Sequence, residues 1–147
     1  MALFNAFNIS ASGMTAQRFR TDIIAQNVAN VDTTRTESGE VYRRKAVTFA
    51  EKTATPFDHV LARAQGDHIG GTGVKVHSLY EDREKDLKMV YDPAHPDADE
   101  NGYVSYPNVD IVTEMTNMID STRSYEANVT AFDASKSMAI KGLEIGK

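Results

Sequence analysis

The sequence contains no cysteine, which excludes disulfide bonds and thiolate metal sites. It also lacks any run of the roughly 18 apolar residues that a membrane-spanning helix needs, so we expect no direct membrane insertion. The first seventeen residues hold no basic residue and no continuous apolar stretch, and we therefore expect no cleavable signal peptide. The net charge of −5 argues against a nucleic-acid partner.

The C-terminal third, from Val109 to about Leu143, contains no proline and reaches its first glycine only at Gly142. Its apolar residues recur at alternating spacings of four and three, which is typical of a coiled coil. The two rows of the repeat are Ile111, Met118, Tyr125, Phe132, Ala139 and Met115, Thr122, Val129, Lys136, Leu143. The pattern predicts a helix roughly 50 Å long, capped by Asn108 or Asp110, that needs another long helix as its partner.

A second helix is predicted for residues 2–28, where apolar side chains form a wide face and small residues crowd positions 10–13. An ordinary core helix would explain this face, but so would a partner for the C-terminal helix. We predict that the two helices pack as a coiled coil, within the chain or between subunits. The residues predicted to form this packing are Phe7, Met14 and Ile24 against Met118, Tyr125, Val129 and Phe132.

The middle of the chain, residues 33–107, predicts short antiparallel strands joined by loops. Strands are predicted at 41–49, 74–80 and 87–91, with a hairpin around Gly39 and a loop, mobile in our interpretation, at 51–73. Residues 92–107 hold three of the four prolines, so we expect no long regular element there. The predicted fold is therefore mainly α with a small β part: a helical domain from residues 1–32 and 108–147, and a strand and loop region between them.

Two patterns could indicate a metal site, and both are weak. Residues 97–102 match the start of a calcium loop, but the position that needs a bidentate glutamate is Asn108, so we predict a polar turn. The histidines His59, His68, His77 and His95 are too far apart in sequence for a typical metal pair. We predict no catalytic, cofactor-binding or metal-binding residues, and hence no enzyme.

Four separated motifs carry a resemblance to a known family. Residues 22–36, DIIAQNVANVDTTRT, resemble the N-terminal signature of bacterial flagellar rod and hook proteins. Residues 42–45, 90–99 and 124–128 narrow the resemblance to subunits of the proximal rod. In the first motif, Asn27, Asn30, Thr33 and Thr34 are identified as the turn that ends the N-terminal helix.

The resemblance implies a structural subunit that assembles helically into a hollow shaft, transmits torque and lets exported subunits pass. It implies a periplasmic rod location, reached unfolded through the flagellar type III export apparatus. The implied partners are proximal and distal rod proteins, the basal-body adaptor and export gate, and neighbouring copies of the chain. Charged residues predicted as possible intersubunit contacts are Arg43, Arg44, Lys45, Asp97 and Asp99. The alternative reading of the helices is a soluble coiled-coil adaptor or secretion chaperone.

Overall fold

The computed structural model describes residues 2–53 and 71–145, together with positions 57, 60, 61 and 64. In chain order the elements are α1 (Ala2–Ala29), β1 (Lys45–Glu51), β2 (Val74–Glu81), β3 (Lys88–Tyr91), β4 (Tyr103–Tyr106) and α2 (Ile111–Ile145). Two long terminal helices flank a middle of short antiparallel strands, which confirms the predicted fold class. None of the described helices is long and apolar enough to cross a membrane.

Local hydrogen bonds explain where the helices begin and end. At the start of α2, the Asp110 carboxylate accepts a hydrogen bond of 2.6 Å from the Thr113 hydroxyl, and the Asp110 carbonyl accepts the Glu114 amide at 2.9 Å. Asp110 is therefore the N-cap, one of the two residues predicted for that role. At the end of α1, the Asn30 side chain donates to the Gln26 carbonyl at 2.8 Å, and the helix stops where the sequence predicted.

Strands β1 and β2 form one two-stranded sheet. The Lys52 amide donates to the Gly73 carbonyl and the Asp82 amide to the Arg44 carbonyl, both at 2.8 Å. Residue numbers increase from Arg44 to Lys52 while those of their partners decrease from Asp82 to Gly73, so the two strands are antiparallel. The predicted strand at 41–49 begins later, at Lys45, since the residues before it make side-chain and amide contacts elsewhere.

The predicted hairpin around Gly39 is wrong in its strand pairing. Gly39 does sit in a tight turn with φ of 83°, closed by hydrogen bonds from the Thr36 amide to Glu40 and from the Gly39 amide to Thr36. No strand is assigned across the described residues 31–40, and β1 pairs with β2 instead. A turn signal alone does not determine which strands pair.

Strands β3 and β4 form an antiparallel hairpin in which Lys88 pairs with Tyr106 and Tyr91 with Tyr103. β4 was not predicted as a separate strand, but its four residues fit the prediction that this segment does not stay regular for long. The loop before β4 contains the predicted polar turn: the Asp99 carboxylate accepts the amides of Asn101 and Tyr103, each at 2.8 Å. Gly102, with φ of 80°, returns the chain into the strand.

Most of the predicted loop at 51–73 lies outside the described residues. Positions 57, 60, 61 and 64 within it are helical, which differs from the prediction at those positions.

The chain divides into two compact units, and the division does not follow secondary structure. The first unit comprises Met1–Phe19, Thr48–His77 and Ser121–Lys147, and the second comprises Arg20–Val47 and Ser78–Asp120. Each unit combines parts of both helices with parts of the strands. The predicted organisation into a helical domain and a strand region stays a prediction.

In the first unit the helices approach closely through small and polar residues. A Cβ atom on Gly13 would lie 2.5 Å from Oδ1 of Asn128, so only glycine fits there without displacing that side chain. The start of β2 is held to α1 by the Val74 amide, which donates to the Ser12 hydroxyl at 3.1 Å. Asn5 donates to the Gly71 carbonyl at 3.2 Å.

Candidate functional site

The second unit is organised around a fully buried carboxylate, that of Glu114 in the first turn of α2. Its Oε1 accepts a hydrogen bond from Nε of Arg44 at 2.8 Å and forms an ion pair with Nη2 of Arg44 at 2.8 Å, and its Oε2 accepts a hydrogen bond from Nδ2 of Asn27 at 2.9 Å. A buried charge is tolerated only when it is paired and hydrogen-bonded, and Glu114 meets both conditions. We call Asn27, Tyr42, Arg44, Lys45 and Glu114 the Glu114 cluster.

Asn27 connects the two helices to the segment before β1. Its Oδ1 accepts from the Tyr42 hydroxyl and the Lys45 amide, both at 2.9 Å. Its Nδ2 donates to the Lys45 carbonyl at 2.8 Å as well as to Glu114. A primary amide has two donors and two acceptor positions, so the hydrogen-bonding capacity of Asn27 is completely used.

The Tyr42 hydroxyl is held in its neutral form. Burial raises the pKa of Tyr42 above its ordinary value of 10.0, and the nearby carboxylates of Glu114 and Glu81 raise it further. The neutral hydroxyl is the form that can donate to Asn27. Lys45 adds a charge 5.5 Å from the centre of the Tyr42 ring.

Asn108, also fully buried, extends the same set of contacts. Its Oδ1 accepts the Arg44 amide at 2.9 Å, and its Nδ2 donates to the carbonyls of Asp82 and Lys85 at 2.9 and 3.2 Å. Asn108 was predicted as an alternative helix cap, but the structure uses it to join three chain segments.

The Glu114 cluster fixes geometry and offers no arrangement for catalysis. Both oxygens of the Glu114 carboxylate accept hydrogen bonds, from Arg44 and Asn27, and the neutral Tyr42 hydroxyl donates to Asn27. Within the described part of the chain, no group of three or more His, Cys, Asp or Glu residues could hold a metal ion.

Helix α2 buries polar residues and exposes apolar ones. Glu114, Ser121 and Ser135, spaced at multiples of seven, are buried, and Asn128 on the same line is half-buried. The same helix leaves Val112 73% exposed and Met115 56% exposed. In the second unit we call the exposed set the α2 apolar row: Ile111, Val112, Met115 and Ile119; in the first unit the helix also exposes Tyr125, Met138, Ile140, Leu143 and Ile145.

The residues predicted to pack between helices are only partly brought together within the chain. The rings of Phe7 and Phe132 lie 5.0 Å apart in the first unit, and Ile24 is buried in the second. Tyr125 is 39% exposed. Met14, Met118 and Val129 are half-buried.

The residues of the predicted turn each make a defined contact. Asn27 belongs to the Glu114 cluster, and the Thr33 hydroxyl donates to Oδ1 of Asn30 at 3.1 Å. The Thr34 hydroxyl donates to Asp97 at 2.8 Å. The turn is therefore tied to the loop between β3 and β4.

The charged residues predicted as intersubunit contacts have different environments. Arg44 is paired with Glu114, and Asp97 receives Thr34 and lies 3.8 Å from the Arg35 guanidinium. Asp99 is exposed and Arg43 half-buried. An intersubunit role for Arg43, Arg44, Lys45, Asp97 and Asp99 stays a prediction.

A cleft of about 580 Å³ opens beside the start of α2 in the second unit. Its walls are mostly apolar, with two aspartates and one lysine among them. It is lined by Val31, Asp32, Lys88, Val90, Tyr106, Asp110, Ile111 and Val112. Since Ile111 and Val112 belong to the α2 apolar row, the cleft continues that surface.

Sequence reasoning missed Glu114 and the structural role of Asn108. Glu114 was interpreted only as one of the acids early in the helix. A signal was present: Glu114, Ser121, Asn128 and Ser135 form a polar line at heptad spacing. A charged residue on such a line predicts a buried partner of opposite charge only if the line faces inward. The apolar rows predicted instead that a different side of α2 faces its partner helix.

Two family descriptions match the chain. Residues 7–35 match "Flagella basal body rod protein", and residues 100–145 match "Flagellar basal body rod FlgEFG protein C-terminal". The first match contains Asn27 and the second contains Asn108 and Glu114, so the Glu114 cluster draws on both matched segments.

Full-length relatives give the same result. The chain is 48% identical to the flagellar basal-body rod protein FlgC of Bacillus subtilis, with all of both chains covered. It is 43% identical to that of Borreliella burgdorferi, covering 99% of this chain and 98% of the relative. It is 41% identical to that of Salmonella typhimurium over the whole of both chains. The chain therefore belongs to the FlgC family of flagellar basal-body rod proteins.

Proposed function

We propose that this chain assembles helically, with copies of itself and with other rod proteins, into the hollow drive shaft of the flagellar basal body. Membership of the family makes it a structural, non-enzymatic component of the basal-body rod, and the adaptor or chaperone alternative is not favoured. In the proposed role the subunit transmits torque through its packed helices and leaves a channel for exported subunits.

The observation that carries the proposal is the α2 apolar row. Val112, Met115 and Ile119 are each more than half exposed, although the same helix buries Glu114. Burying apolar surface gains about 25 cal/mol per Å², so a helix with this arrangement is stabilised by neighbours. A shaft built of repeated subunits supplies such neighbours on every copy.

Substitution of Met115 tests the proposal. Met115→Glu places a charge in the α2 apolar row at a position exposed in the single chain, so the isolated protein should fold normally. In a strain that lacks the native gene, we expect this variant to abolish rod assembly and swimming. Met115→Leu, which keeps the position apolar, is the matched control and should support swimming. Wild-type motility with Met115→Glu would refute the role of this row.

The proposed location is the periplasmic rod, reached through the flagellar type III export apparatus. The basal-body adaptor and the export gate are the proposed neighbours at the base of the shaft. Support comes from membership of the family of flagellar basal-body rod proteins. Blocking the flagellar export apparatus should leave the full-length chain, with its original N-terminus, in the cytoplasm.

A further inference from the structure

We infer that Glu114, held by Arg44 and Asn27, is the specificity-determining residue that selects one axial register between α1 and α2. This inference concerns the single chain and is independent of the proposed function. It assigns the Glu114 cluster a role in choosing among alternative packings, beyond a contribution to stability.

One of the two rows in the apolar repeat of α2 does not distinguish between registers. Ile111, Met118 and Tyr125 follow one another at intervals of seven, so a slip by one heptad replaces each apolar residue by another. Such a slip moves the helix by about 10 Å and keeps this row apolar, whereas in the companion row Thr122 and Lys136 would take the places of Met115 and Val129.

The polar line of α2, formed by Glu114, Ser121, Asn128 and Ser135, does distinguish the native register from a slipped one. After a slip of one heptad, Ser121 would take the place of Glu114 opposite Asn27 and Arg44. Arg44 is only 24% exposed and would lose its counter-ion. Nδ2 of Asn27 would lose its carboxylate acceptor, because a serine hydroxyl carries no charge and is shorter. Glu114 is the one acidic residue on this line, since Ser121, Asn128 and Ser135 carry neutral side chains.

Hydrogen bonds around the segment before β1 hold Arg44 in one position relative to α1. Asn27 is fixed by Tyr42 and by both backbone groups of Lys45, while Asn108 fixes the Arg44 amide. The guanidinium is therefore presented at one height along α1. A single buried polar pair is known to determine register in helix pairs, at some expense in stability.

Pulsed electron paramagnetic resonance on the full-length chain tests this inference. The sequence has no cysteine, so two introduced cysteines carry the only spin labels. Asp22 on α1 and Thr116 on α2 are both exposed and both in the second unit. With Glu114 present we expect a single narrow distance distribution. In Glu114→Leu/Arg44→Met we expect a second population, displaced by up to about 10 Å, in a protein that is still helical.

Two further variants make the result decisive. Glu126→Leu/Arg123→Met removes the same two charges from exposed positions of α2 and should keep the single distance. Glu114→Gln keeps the shape of the side chain and should broaden the distribution even if the apolar double variant fails to fold. A single unchanged distance in the Glu114 variants would overturn the inference. Failure of Glu114→Gln to fold would also overturn it, because the cluster would then be required for folding itself.

Discussion

Glu114 shows how much one buried residue can control. Glu114→Ala would leave the Arg44 guanidinium and the Asn27 amide without their common acceptor in a site closed to solvent. Removing one partner of a buried ion pair usually costs about 3 to 5 kcal/mol. We expect a loss of that size in the free energy of unfolding measured with urea.

The matched control for Glu114→Ala is Glu126→Ala on the same helix. Glu126 is exposed, so its removal should change the free energy of unfolding by no more than about 0.5 kcal/mol. Equal effects of the two substitutions would contradict the structural role of Glu114.

Asp110 gives a prediction about pH. The Thr113 hydroxyl lowers the pKa of this carboxyl below its ordinary value of 3.8, helped by the amides of Val112 and Thr113 and by Lys88, while partial desolvation acts in the opposite direction. A lowered pKa in the folded state means that the cap stabilises α2 above the unfolded pKa of about 3.9. This contribution is lost as the pH falls through the folded pKa.

Thr113→Val removes the largest cause of that shift and keeps the size of the side chain. We expect the pKa of Asp110, followed by NMR titration of its carboxyl carbon, to rise toward 3.8. The stability of the variant should also begin to fall at a higher pH than that of the wild type. An unchanged Asp110 pKa would show that the backbone amides alone hold the carboxylate.

At the scale of elements, the approach of α1 to α2 in the first unit depends on Gly13. Alanine is favoured over glycine in a helix by about 1 kcal/mol, but its Cβ here would meet the whole amide of Asn128. That amide is anchored by a 2.8 Å hydrogen bond to the Ser124 carbonyl. We therefore expect Gly13→Ala to destabilise the protein by about 1 kcal/mol. This value is the free-energy cost of the clash minus the gain in helix propensity.

A double-mutant cycle separates these two contributions. In an Asn128→Ala background the space is open, so Gly13→Ala should stabilise the protein by up to about 1 kcal/mol in thermal or urea unfolding. A change of sign between the two backgrounds is the expected result. If Gly13→Ala destabilised the protein in both backgrounds, Asn128 would not be the cause of the destabilisation.

The helices were predictable because their apolar residues repeat over many turns, and local signals fixed their ends at Asn30 and Asp110. Strand β2 was predicted to within a residue from its alternating pattern, whereas β4 was hidden among prolines and aspartates that dominate the local propensities. The Glu114 cluster was not predictable because its hydrogen bonds join residues 87 and 70 positions apart. No local pattern encodes such a pairing, and it appears only once the strands bring Arg44 beside α2.

At the scale of the whole molecule, the exposed α2 apolar row and the cleft beside it support the proposed assembly with neighbouring subunits. We expect the protein to be recovered in purified basal bodies, co-purifying with the other rod proteins and resisting salt extraction because apolar contacts do not weaken in salt. Quantitative mass spectrometry of basal bodies, with the filament fraction as control, measures this. Recovery only as a soluble cytoplasmic dimer would contradict the proposed function.

Asn27 also limits how this protein can vary over evolutionary time. Aspartate at this position would remove both donors and add a second negative charge beside Glu114, glutamine would push the amide outward by one methylene, and a hydroxyl group could serve fewer partners. No single replacement reproduces its set of contacts with Tyr42, Lys45 and Glu114. We therefore expect divergent relatives to change this position only together with the residues that contact it.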